Sequence, residues 1–599
     1  MTDAATPDRP DVLGVTRSVT GKRWQARSHD DRLAQALAQR AGVSELVGRV
    51  MAGRGVNPAE ADSFLTPSLR NDLPDPAGFL DMDRAAQRLV RAVQAGESVA
   101  VFADYDVDGA TSAALLSRFL RHVGLSPRIY VPDRVAEGYG PNAAAITTLH
   151  DEGHSLIVCV DCGITAFEPL GYAQSLGLDT IVVDHHQAEP QLPPAAAVVD
   201  PNRLDESGGH GQLAAVGVSF LVAVAVNRAL RQAGFYGTQR PEPDLRRWLD
   251  LVALGTVADV VPLNGVNRAL VARGLDVAAR RGNPGLSALC DVARLDERPT
   301  PFHCGFVLGP RINAGGRIGR AEMGARLLAT DNPGEAAEIA AELDRLNTER
   351  KEMEAAVLDA ATAQVEQAEQ LSTGLVLAAG QGWHPGVIGI VASRLVERYQ
   401  RPAIVVGLDD DGRGQGSGRS VPGIDLGSAI IAARQAGLLQ AGGGHPMAAG
   451  LSVAAEDLPA ARDFLAERLE NAMAISGYAP AVALDGVVSP GGATLETVRA
   501  LEQVGPYGTG NPEPRFAVAH ARVAGADVVG TNHVRCTLTD ASGTRLKAIA
   551  FRAAEEPVGQ ALLTTRGATV HVAGKLRVDQ WAGRNGVQLV IDDVATATT

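Results

Sequence analysis

Residues 98–109 read SVAVFADYDVDG, an apolar run that ends in three aspartates at alternate positions, Asp104, Asp106 and Asp108. The apolar part is typical of a buried strand, because parallel strands covered on both faces carry nearly continuous apolar residues. Three carboxylates this close repel one another, and each resists ionisation beside the others unless a cation neutralises them. The stretch therefore predicts a central strand of an α/β unit whose end binds metal.

The composition indicates a multidomain globular protein of a reducing compartment. The chain has 599 residues, 45% of them hydrophobic, and a single core rarely grows beyond about 250–300 residues. We expect no membrane span and no signal peptide, since no apolar run is long enough and the N-terminus is acidic and Pro-containing. The five scattered cysteines favour reduced thiols and a cytoplasmic location. The net charge of −14 argues against non-specific polyanion binding, although a local basic groove is compatible with it.

Changes of pattern along the chain predict five parts. Alternating strands and helices are typical of a parallel α/β domain, and a Gly- and Pro-free stretch from Glu335 to Gln370 predicts a long helix that connects two domains. Burial of that helix in a core is the alternative. The C-terminal part alternates like half-buried antiparallel strands, which suits a small barrel such as an OB-fold. The parts are a leader, loose to about residue 30, with a helical segment (1–44), a parallel-sheet α/β domain (45–332), the connecting helix (333–372), a smaller α/β domain (373–470) and the barrel (483–599).

Acidic and imidazole groups recur where the predicted strands or helices end. Asp161 follows the run LIVCV, Asp184, His185 and His186 follow TIVV, and Asp259 closes LGTVAD. The carboxyl ends of parallel strands share one edge of a sheet, so these side chains should converge with the first three aspartates. Hard oxygen ligands with imidazole suit Mn²⁺ or Mg²⁺, and this many groups can hold two ions about 3.5–4 Å apart. A single aspartate after a strand is most often a cap, and only the joint occurrence favours a metal site.

Other motifs indicate less. Cys159 and Cys162 form a C-x-x-C pair that is compatible with redox chemistry or zinc, but no second thiol pair exists. The period-two alternation puts the intervening Val160 and Asp161 on opposite faces, which favours buried structural cysteines. Neither a G-x-x-x-x-G-K-[ST] motif nor a dinucleotide fingerprint after a strand is found, so ATP or NAD dependence is not indicated.

With these segments in hand, the chain resembles the DHH phosphoesterase superfamily, and within it the bacterial RecJ family of single-strand-specific exonucleases. The likeness extends over most of the chain from about residue 70. It implies a parallel-sheet DHH domain joined by a long helix to a smaller α/β DHHA1 domain, followed by an OB-fold barrel. The motifs shared, in the family's order, are ADYDVDG (103–109), VPDRVAEGYG (131–140), VDCG (160–163), DHH (184–186), GTVADVVPL (255–263), GPRINAGGRIG (309–319), GSGRS (416–420), GGGHPMAAG (442–450) and VGPYGTGNPEPRF (504–516).

The resemblance also implies the residues of a centre with two Mn²⁺ or Mg²⁺ ions. Asp104 is expected to be a further ligand or a group that supports the ligands, because Phe102 stands where other DHH enzymes have a histidine. His186 is expected to contact the scissile phosphate. The ligands implied are Asp106, Asp108, Asp161, His185 and Asp259, and the catalytic set is Asp104, Asp161, His186 and Arg311.

The same resemblance implies how a DNA strand is held. Arg134, Ser417 and Arg419 match positions that grip a 5′-phosphate, for which the planar fork of arginine and a hydroxyl donor are suited. Arg311, Asn313 and Arg317 would line the path to the metals, and His445 in its Gly-rich segment would donate to phosphate. Without the family, Arg134 would be taken as a solvated charge, and GRGQGSGRS is equally compatible with a hairpin turn.

The function implied is 5′→3′ hydrolysis of single-stranded DNA to mononucleotides in DNA repair and recombination, with a single-strand-binding protein and a helicase as partners. Barrel residues could contact the strand, with Trp581 and Phe551 as stacking candidates and Phe516 as a core residue, or they could be solvated strand faces. The alternatives are a DHH phosphodiesterase of short oligonucleotides or cyclic dinucleotides and an inactive nucleic-acid-binding scaffold. The basic barrel residues are Arg535, Arg545, Lys547, Arg552, Lys575 and Arg577.

Overall fold

A computed structural model describes residues 9–28, 30–134, 137–368, 373–579 and 586–597. The N-terminal segment differs from the expected loose leader, because residues 9–28 and the first helices pack on the C-terminal barrel. Trp24 is completely buried and its Nε1 donates to Oδ2 of Asp593 at 2.8 Å, while Leu37 and Met51 share a core with Phe516. The elements here are β1 (Arg23–Ala26), α1 (Asp31–Ala41), α2 (Glu45–Ala52), α3 (Ala61–Leu65) and α4 (Leu69–Asp72).

The first α/β domain, which the resemblance implies is a DHH domain, is built on a five-stranded, all-parallel sheet in the order β3-β2-β4-β5-β6. Every residue of β2 and β4 is buried, because helices cover both faces of the sheet. A π-helical turn, Cys304–Leu308, joins α13 to α14. The elements are α5 (Met82–Ala95), β2 (Val99–Ala103), α6 (Val107–His122), β3 (Arg128–Tyr130), α7 (Ala143–Asp151), β4 (Leu156–Val160), α8 (Phe167–Ser175), β5 (Asp179–Val183), β6 (Ala197–Val199), α9 (Ala215–Gln232), α10 (Leu249–Ala258), α11 (Gly265–Ala278), α12 (Pro284–Val292), α13 (Pro301–His303), α14 (Gly309–Ile318) and α15 (Met323–Ala329).

The predicted connecting helix is present as α16, Pro333–Gln367, and its 35 residues span about 50 Å. It begins after Asn332, whose side chain accepts from the first free backbone N–H groups. Leu343 lies in the core of the DHH domain, and Val357 and Val365 lie in the core of the next domain. The helix therefore both connects the two domains and contributes to each core.

The DHHA1 domain carries a mixed sheet in the order β10-β11-β9-β8-β7. The GRGQGSGR segment is strand β9, paired on both sides, and not a turn. GGGHPMAAG instead forms the hairpin of β10 and β11. The elements are β7 (Val376–Gln381), α17 (Pro385–Tyr399), β8 (Ala403–Leu408), β9 (Arg413–Arg419), α18 (Leu426–Gln435), β10 (Ala441–His445), β11 (Ala448–Ala454) and α19 (Leu458–Ser476).

The C-terminal part is a closed barrel, as the sequence predicts. Strand β14 pairs with β15 on one side and β17 on the other, and α21 lies between the third and fourth strands of the barrel. Parallel pairing of β1 with β12 adds the N-terminal strand to this part of the molecule. Among the described residues, no helix has the length and apolarity needed to cross a bilayer. The elements are β12 (Ala481–Leu484), β13 (Gly486–Val487), α20 (Leu495–Glu502), β14 (Phe516–Val529), β15 (His533–Thr539), β16 (Arg545–Ala550), α21 (Pro557–Thr564), β17 (Thr569–Asp579) and β18 (Gly586–Thr596).

Candidate metal centre and phosphate site

Aspartates stand at the carboxyl ends of four neighbouring strands of the DHH sheet. Asp104, Asp161, Asp184 and Asp200 directly follow β2, β4, β5 and β6. The chain then enters α6, where Asp106 caps the helix by accepting from the Gly109 N–H at 3.0 Å. The parallel topology thus gathers carboxylates from distant segments at one edge, as expected from the sequence.

The structure brings all five predicted metal ligands together. The Nε2 atom of His185 lies 3.3 Å from Oδ1 of Asp161, 3.7 Å from Oδ2 of Asp259 and 3.9 Å from Oδ2 of Asp108. Three groups of candidate ligand atoms form among the described residues, each with its members within 4.8 Å of one another, and one of them, Asp161, His185 and His186, bridges the other two. Of these two, one is Asp104, Asp106 and Asp161, and the other is Asp108, His185 and Asp259.

The donor atoms of these groups fit divalent cations. Oδ1 of Asp104, Nε2 of His185 and Oδ2 of Asp259 are buried without a hydrogen-bond partner. Burial, followed by the charge of Asp106, raises the pKa of Asp104 to about 8, and burial followed by Asp108 raises that of Asp259 to about 9. Buried carboxylates that repel one another are stabilised by a hard cation, so the residues present suit Mn²⁺ or Mg²⁺.

Asp161 and Asp108 are held by their backbone surroundings. Asp161 adopts a left-handed conformation with φ of 59°, and its carbonyl accepts from the Tyr139 hydroxyl at 3.1 Å. Such a conformation is uncommon outside glycine and turns the carboxylate toward His185. Oδ2 of Asp108 accepts from the N–H of Ala215 at 2.6 Å and Oδ1 from that of Val216 at 3.0 Å, at the start of α9. Asp108 thus faces a helix N-terminus, where a carboxylate is stabilised.

The two histidines differ in charge because their neighbours differ. Burial, together with the charge of His186, lowers the pKa of His185 to about 4, so its imidazole is neutral and can bind a metal. Burial acts in the same direction on His186, but a 2.7 Å hydrogen bond from its Nδ1 to Oδ1 of Asp184 prevails and raises its pKa to about 9. Asp184 also accepts from the Ile164 N–H at 3.1 Å. His186 is therefore a cation at neutral pH, held beside the metal groups.

A second cluster consists of arginines from distant segments. Burial, and then the charges of Arg134, Arg350 and Arg419, lower the pKa of Arg317 to about 10. Nη1 of Arg419 donates to Oγ of Ser417 at 3.0 Å. The predicted 5′-phosphate residues Arg134, Ser417 and Arg419 thus lie together with Arg317, which was predicted to line the path to the metals, and crowded guanidinium groups favour an anion between them.

Tyr105 joins this cluster to the metal centre. The guanidinium carbon of Arg134 lies 5.2 Å from the centre of the Tyr105 ring, and Tyr105 separates Asp104 from Asp106. Helix α14 passes beside the same residue, since a Cβ on Gly316 would lie 2.8 Å from the Tyr105 carbonyl oxygen. Nη1 of Arg317, on that helix, donates to the Gly386 carbonyl at 2.9 Å and so reaches the DHHA1 domain.

Three other predicted site residues, Arg311, Asn313 and His445, are placed differently. Nε of Arg311 donates to Oδ1 of Asp344 at 2.9 Å, so this arginine is already paired with α16. Asn313 is half-buried on α14, and His445 is exposed at the end of β10. Within the described part of the chain, no hydrogen bond or ion pair links any of the three to the metal-centre carboxylates.

Several neighbours of the site were missed by sequence reasoning. Arg350 belongs to the arginine cluster, but it stands in a charged helix where no local signal distinguishes it. Tyr139 contacts both Asp161 and, at 3.5 Å, Nδ1 of His186. Asp200 is buried with a pKa raised by burial to about 7, and the rule that found Asp161, an aspartate directly after a strand, would have found it.

Two predictions about neighbouring residues concern the core. Phe102 is buried and stacks on Tyr130 with 5.4 Å between ring centres, so the position of the family's histidine is filled by packing. Cys159 and Cys162 are buried free thiols, and burial raises the pKa of Cys159 to about 12. The prediction of structural cysteines is confirmed.

The comparisons with family models and with known proteins agree on one family. The chain matches the DHH family, N-terminal domain, over residues 98–256, the DHHA1 domain over 359–471 and the RecJ OB domain over 484–593. The single-stranded-DNA-specific exonuclease RecJ of Bacillus subtilis is 35% identical over 583 residues, which is 96% of this chain and 71% of that protein. The Escherichia coli protein of the same name is 36% identical over 561 residues, 92% of this chain and 95% of that one.

Solved structures agree with these matches. The crystal structure of RecJ in complex with Mn²⁺ from Thermus thermophilus superposes with a TM-score of 0.77 at 30% identity, covering 95% of this chain and 78% of that one. The Mg²⁺ complex from the same organism gives a TM-score of 0.73 at 28% identity, covering 95% and 77%. Both structures hold a divalent cation of the kind that the donor atoms described above suit.

Proposed function

The chain belongs to the RecJ family of single-stranded-DNA-specific exonucleases, and on that premise we propose that it removes mononucleotides from the 5′ end of single-stranded DNA with two Mn²⁺ or Mg²⁺ ions. The observation that carries the proposal is the adjacency of two ligand groups and an arginine–serine cluster, joined through Tyr105. A terminal phosphate held by the arginines would place the next phosphodiester at the carboxylates.

The residues of the centre have separate tasks. Asp104, Asp106 and Asp161 would hold one ion, and Asp108, His185 and Asp259 the other. When bound, such ions supply a hydroxide near neutral pH and stabilise the charge on the phosphate and on the leaving 3′-oxygen. The His186 imidazolium, fixed by Asp184, would donate a hydrogen bond to an oxygen of the scissile phosphate.

The arginine cluster would set the direction of cleavage. A 5′-phosphate carries more charge than an internal phosphodiester, and Arg134, Arg317 and Arg419 with Ser417 offer forked and hydroxyl donors for it. The DHH and DHHA1 domains both contribute, because Arg419 ends β9 whereas Arg317 lies on α14. Arg311, Asn313 and His445 would contact the DNA strand where it leaves this pocket. A structure with bound single-stranded DNA would test these positions.

The barrel would bind the strand farther from the cleaved end. Arg535, Arg545 and Arg552 are exposed, and Phe551, 54% exposed, offers a ring for stacking. The other cations are partly neutralised, since Lys547 pairs with Asp579, and Lys575 and Arg577 pair with Glu513. Phe516 is completely buried, as predicted for a core residue, and Trp581 lies outside the described residues.

The cellular setting is part of the proposal. We assign the protein to DNA repair and recombination in the cytoplasm, where a helicase and a single-strand-binding protein would present the strand. The free, buried cysteines support a reducing compartment. Of the rival functions, an inactive scaffold is disfavoured because all five proposed ligands are present and lie together. A dinucleotide phosphodiesterase needs neither the barrel nor a site for a longer strand.

One experiment separates the three functions. Single strands labelled at the 5′ or 3′ end, duplexes and dinucleotides are each incubated with Mn²⁺, with Mg²⁺ or with a chelator. Mononucleotides released from the 5′ end of single strands, only with metal, support the proposal. Cleavage confined to dinucleotides supports the small-substrate enzyme, and binding without cleavage supports the scaffold; either result overturns the exonuclease assignment.

A further inference from the structure

The side chain of Asn267 joins two backbone segments that carry metal-centre residues. Asn267 is completely buried on α11, and its Nδ2 donates to the carbonyls of Gln212 and, at 3.0 Å, Pro262. Pro262 lies three residues after Asp259. Gln212 leads into the segment whose backbone groups contact His185 and Asp108, at Leu213 and at Ala215 and Val216. One amide thus fixes the supports of all three members of the Asp108–His185–Asp259 group.

The backbone after Asp259 needs such a support. Val260 has φ of 64°, and a β-branched residue in this left-handed region costs about 1–3 kcal/mol. Its own side chain is 65% exposed and contributes little packing to hold the turn. The N–H of Val260 donates to the Val257 carbonyl at 3.3 Å, and after Val260 the restraints are the hydrogen bond of Asn267 to the Pro262 carbonyl and that of the Leu263 N–H to the Thr509 carbonyl at 2.7 Å.

Thr509 belongs to the barrel, in a loop of residues 504–511 that we term the barrel loop. Arg268, the neighbour of Asn267, is 2% exposed, and its Nη2 donates to the carbonyls of Val504 at 2.8 Å and Gly505 at 2.6 Å. Nε of Arg268 donates to the Phe64 carbonyl at 2.7 Å. The barrel loop packs closely on the segment after Asp259, since a Cβ on Gly508 would lie 2.6 Å from Cδ1 of Leu263.

Arg268 donates from Nε and Nη2 to backbone carbonyls of other parts of the molecule, whereas its buried Nη1 has no hydrogen-bond partner among the described residues. No ion pair of this arginine is present among the described residues, although burying a guanidinium is unfavourable and lowers its pKa to about 10. Its hydrogen bonds to Val504 and Gly505 fix the position of the barrel loop against helix α11, which follows the Asp259 segment.

We propose that Asn267 and Arg268 are positioning residues, through which the barrel loop holds Asp259, Asp108 and His185 in the arrangement that binds one of the two cations. The barrel then contributes to metal binding as well as to DNA binding. The proposal rests on the assignment of these three residues as ligands under the proposed function. Groups that orient ligands typically change metal affinity about 10–100-fold when removed.

Binding of Mn²⁺ to the full chain without DNA, followed by electron paramagnetic resonance, tests the role of Asn267. We expect Asn267→Ala to weaken binding at one of the two sites about 10–100-fold. The matched control is Asn227→Ala, because Asn227 is also buried in the DHH domain and makes two hydrogen bonds, with Glu242 and Tyr236. Equal Mn²⁺ affinity in the two variants would overturn the role of Asn267. If Asn267→Ala does not fold, Asn267→Ser is measured in its place.

The role of Arg268 is tested in the same assay. Arg268→Ala should weaken the same site, and Arg268→Lys, which keeps part of the donation, should restore some of the affinity. The control is Arg118→Ala, since Arg118 is a buried arginine of the same domain whose Nε donates to the Leu328 carbonyl at 2.8 Å and Nη2 to that of Thr330 at 2.7 Å. An Arg268→Ala protein that binds Mn²⁺ like this control refutes the link to the barrel.

Asp259→Asn separates this proposal from the ligand assignment. Loss of one Mn²⁺ site in Asp259→Asn, together with intact sites in the Asn267 and Arg268 variants, rejects positioning but leaves the assignment standing. Two intact sites in Asp259→Asn reject the assignment itself.

Discussion

Nδ1 of His186 lies 2.7 Å from Oδ1 of Asp184, and this carboxylate is completely buried behind the metal centre. Burial alone would raise the pKa of Asp184, but the hydrogen bonds and charge of its neighbours keep that pKa below its usual value. A permanent anion therefore keeps His186 charged and oriented. The first residue of the DHH triplet thus accepts from the third, whereas Nε2 of the middle one, His185, lies 3.3 Å from Oδ1 of Asp161.

Replacing Asp184 by Asn should lower the rate and change its pH dependence. Loss of a charge-assisted hydrogen bond, about 1.5–3 kcal/mol, predicts a decrease of about 10–100-fold. The raised pKa of His186, about 9, keeps the imidazolium through neutral pH; in the variant, the alkaline decline should move toward pH ~6.5. The check is a pH–rate profile on single-stranded DNA, and an unshifted profile would argue against the charge relation.

Replacing Asp161 by Ala should stop turnover without stopping DNA binding. Asp161 lies between the two ligand groups, and removing one group that stabilises the transition state costs about 10²–10³-fold. Rates on a 5′-labelled strand and binding to the same strand in chelator are compared for the variant and the wild type. Turnover at the wild-type rate would refute the assignment of Asp161.

The metal-free protein should lose stability as the pH rises from 6 to 9. The pKa values of Asp104 and Asp259 are raised to about 8 and about 9 in the folded chain. Their contribution to stability is complete only below the unfolded pKa, near 3.8, and is lost as the pH rises through these higher values. Thermal unfolding in chelator measures the loss, and saturating Mg²⁺ should remove most of it. Asp259→Asn, which cannot ionise, should show a flatter pH dependence; an unchanged slope would contradict the prediction.

Replacing Arg419 or Ser417 should abolish the preference for a 5′-phosphate. Wild-type protein is expected to degrade 5′-phosphorylated strands faster than 5′-hydroxyl strands, and Arg419→Ala should reduce that ratio about 10–100-fold, in line with a hydrogen bond to a charged group. Arg462→Ala is the control, since Arg462 lies in the same domain, is only partly buried and pairs with Asp463. If Arg419→Ala keeps the wild-type ratio of the two rates, Arg419 does not bind the 5′-phosphate.

Replacing Arg535 and Arg552 should weaken the binding of long strands in a salt-dependent manner. Each phosphate contact that is lost should reduce the slope of log K against log salt by about 0.7 for a single strand. Fluorescence anisotropy of a labelled oligonucleotide over a salt series gives the slope. Lys351→Ala, an exposed cation on the connecting helix, serves as the control. If the slopes of the Arg535 and Arg552 variants equal that of Lys351→Ala, these two arginines face solvent and do not contact the strand.

The sequence predicts those parts of the molecule that depend on local patterns of residues. An apolar strand followed at once by an acid is visible in Val99–Ala103 and Asp104, and parallel pairing then places such acids at one edge. The long helix is predicted from the lack of Gly and Pro and is observed as Pro333–Gln367. Motifs of this kind predict the domains and the five proposed ligands, of which Asp108, Asp161 and Asp259 lie 3.9, 3.3 and 3.7 Å from Nε2 of His185.

The parts that the sequence does not predict depend on tertiary contacts. Trp24 looks like part of a leader, and its burial partner Asp593 belongs to the last strand. Arg350 and Asn267 stand in ordinary helices, and only the folded chain shows that one joins an arginine cluster and the other bridges two carbonyls. The GRGQGSGR strand resembles a turn because its glycines carry no β-propensity, and pairing on both sides overrides that preference.

The contact between Trp24 and Asp593 has a consequence for how the chain matures. The two residues are separated by 569 positions, so during synthesis the indole leaves the ribosome long before its partner exists. The first strand has no strand partner until β12 is made, and the Trp24 indole has no buried acceptor until β18 is made, while both α/β domains can already form their own cores. The last structure to be completed is therefore the barrel, and a chain interrupted upstream of β18 leaves the Trp24 indole without its buried acceptor and more accessible to chaperones and proteases.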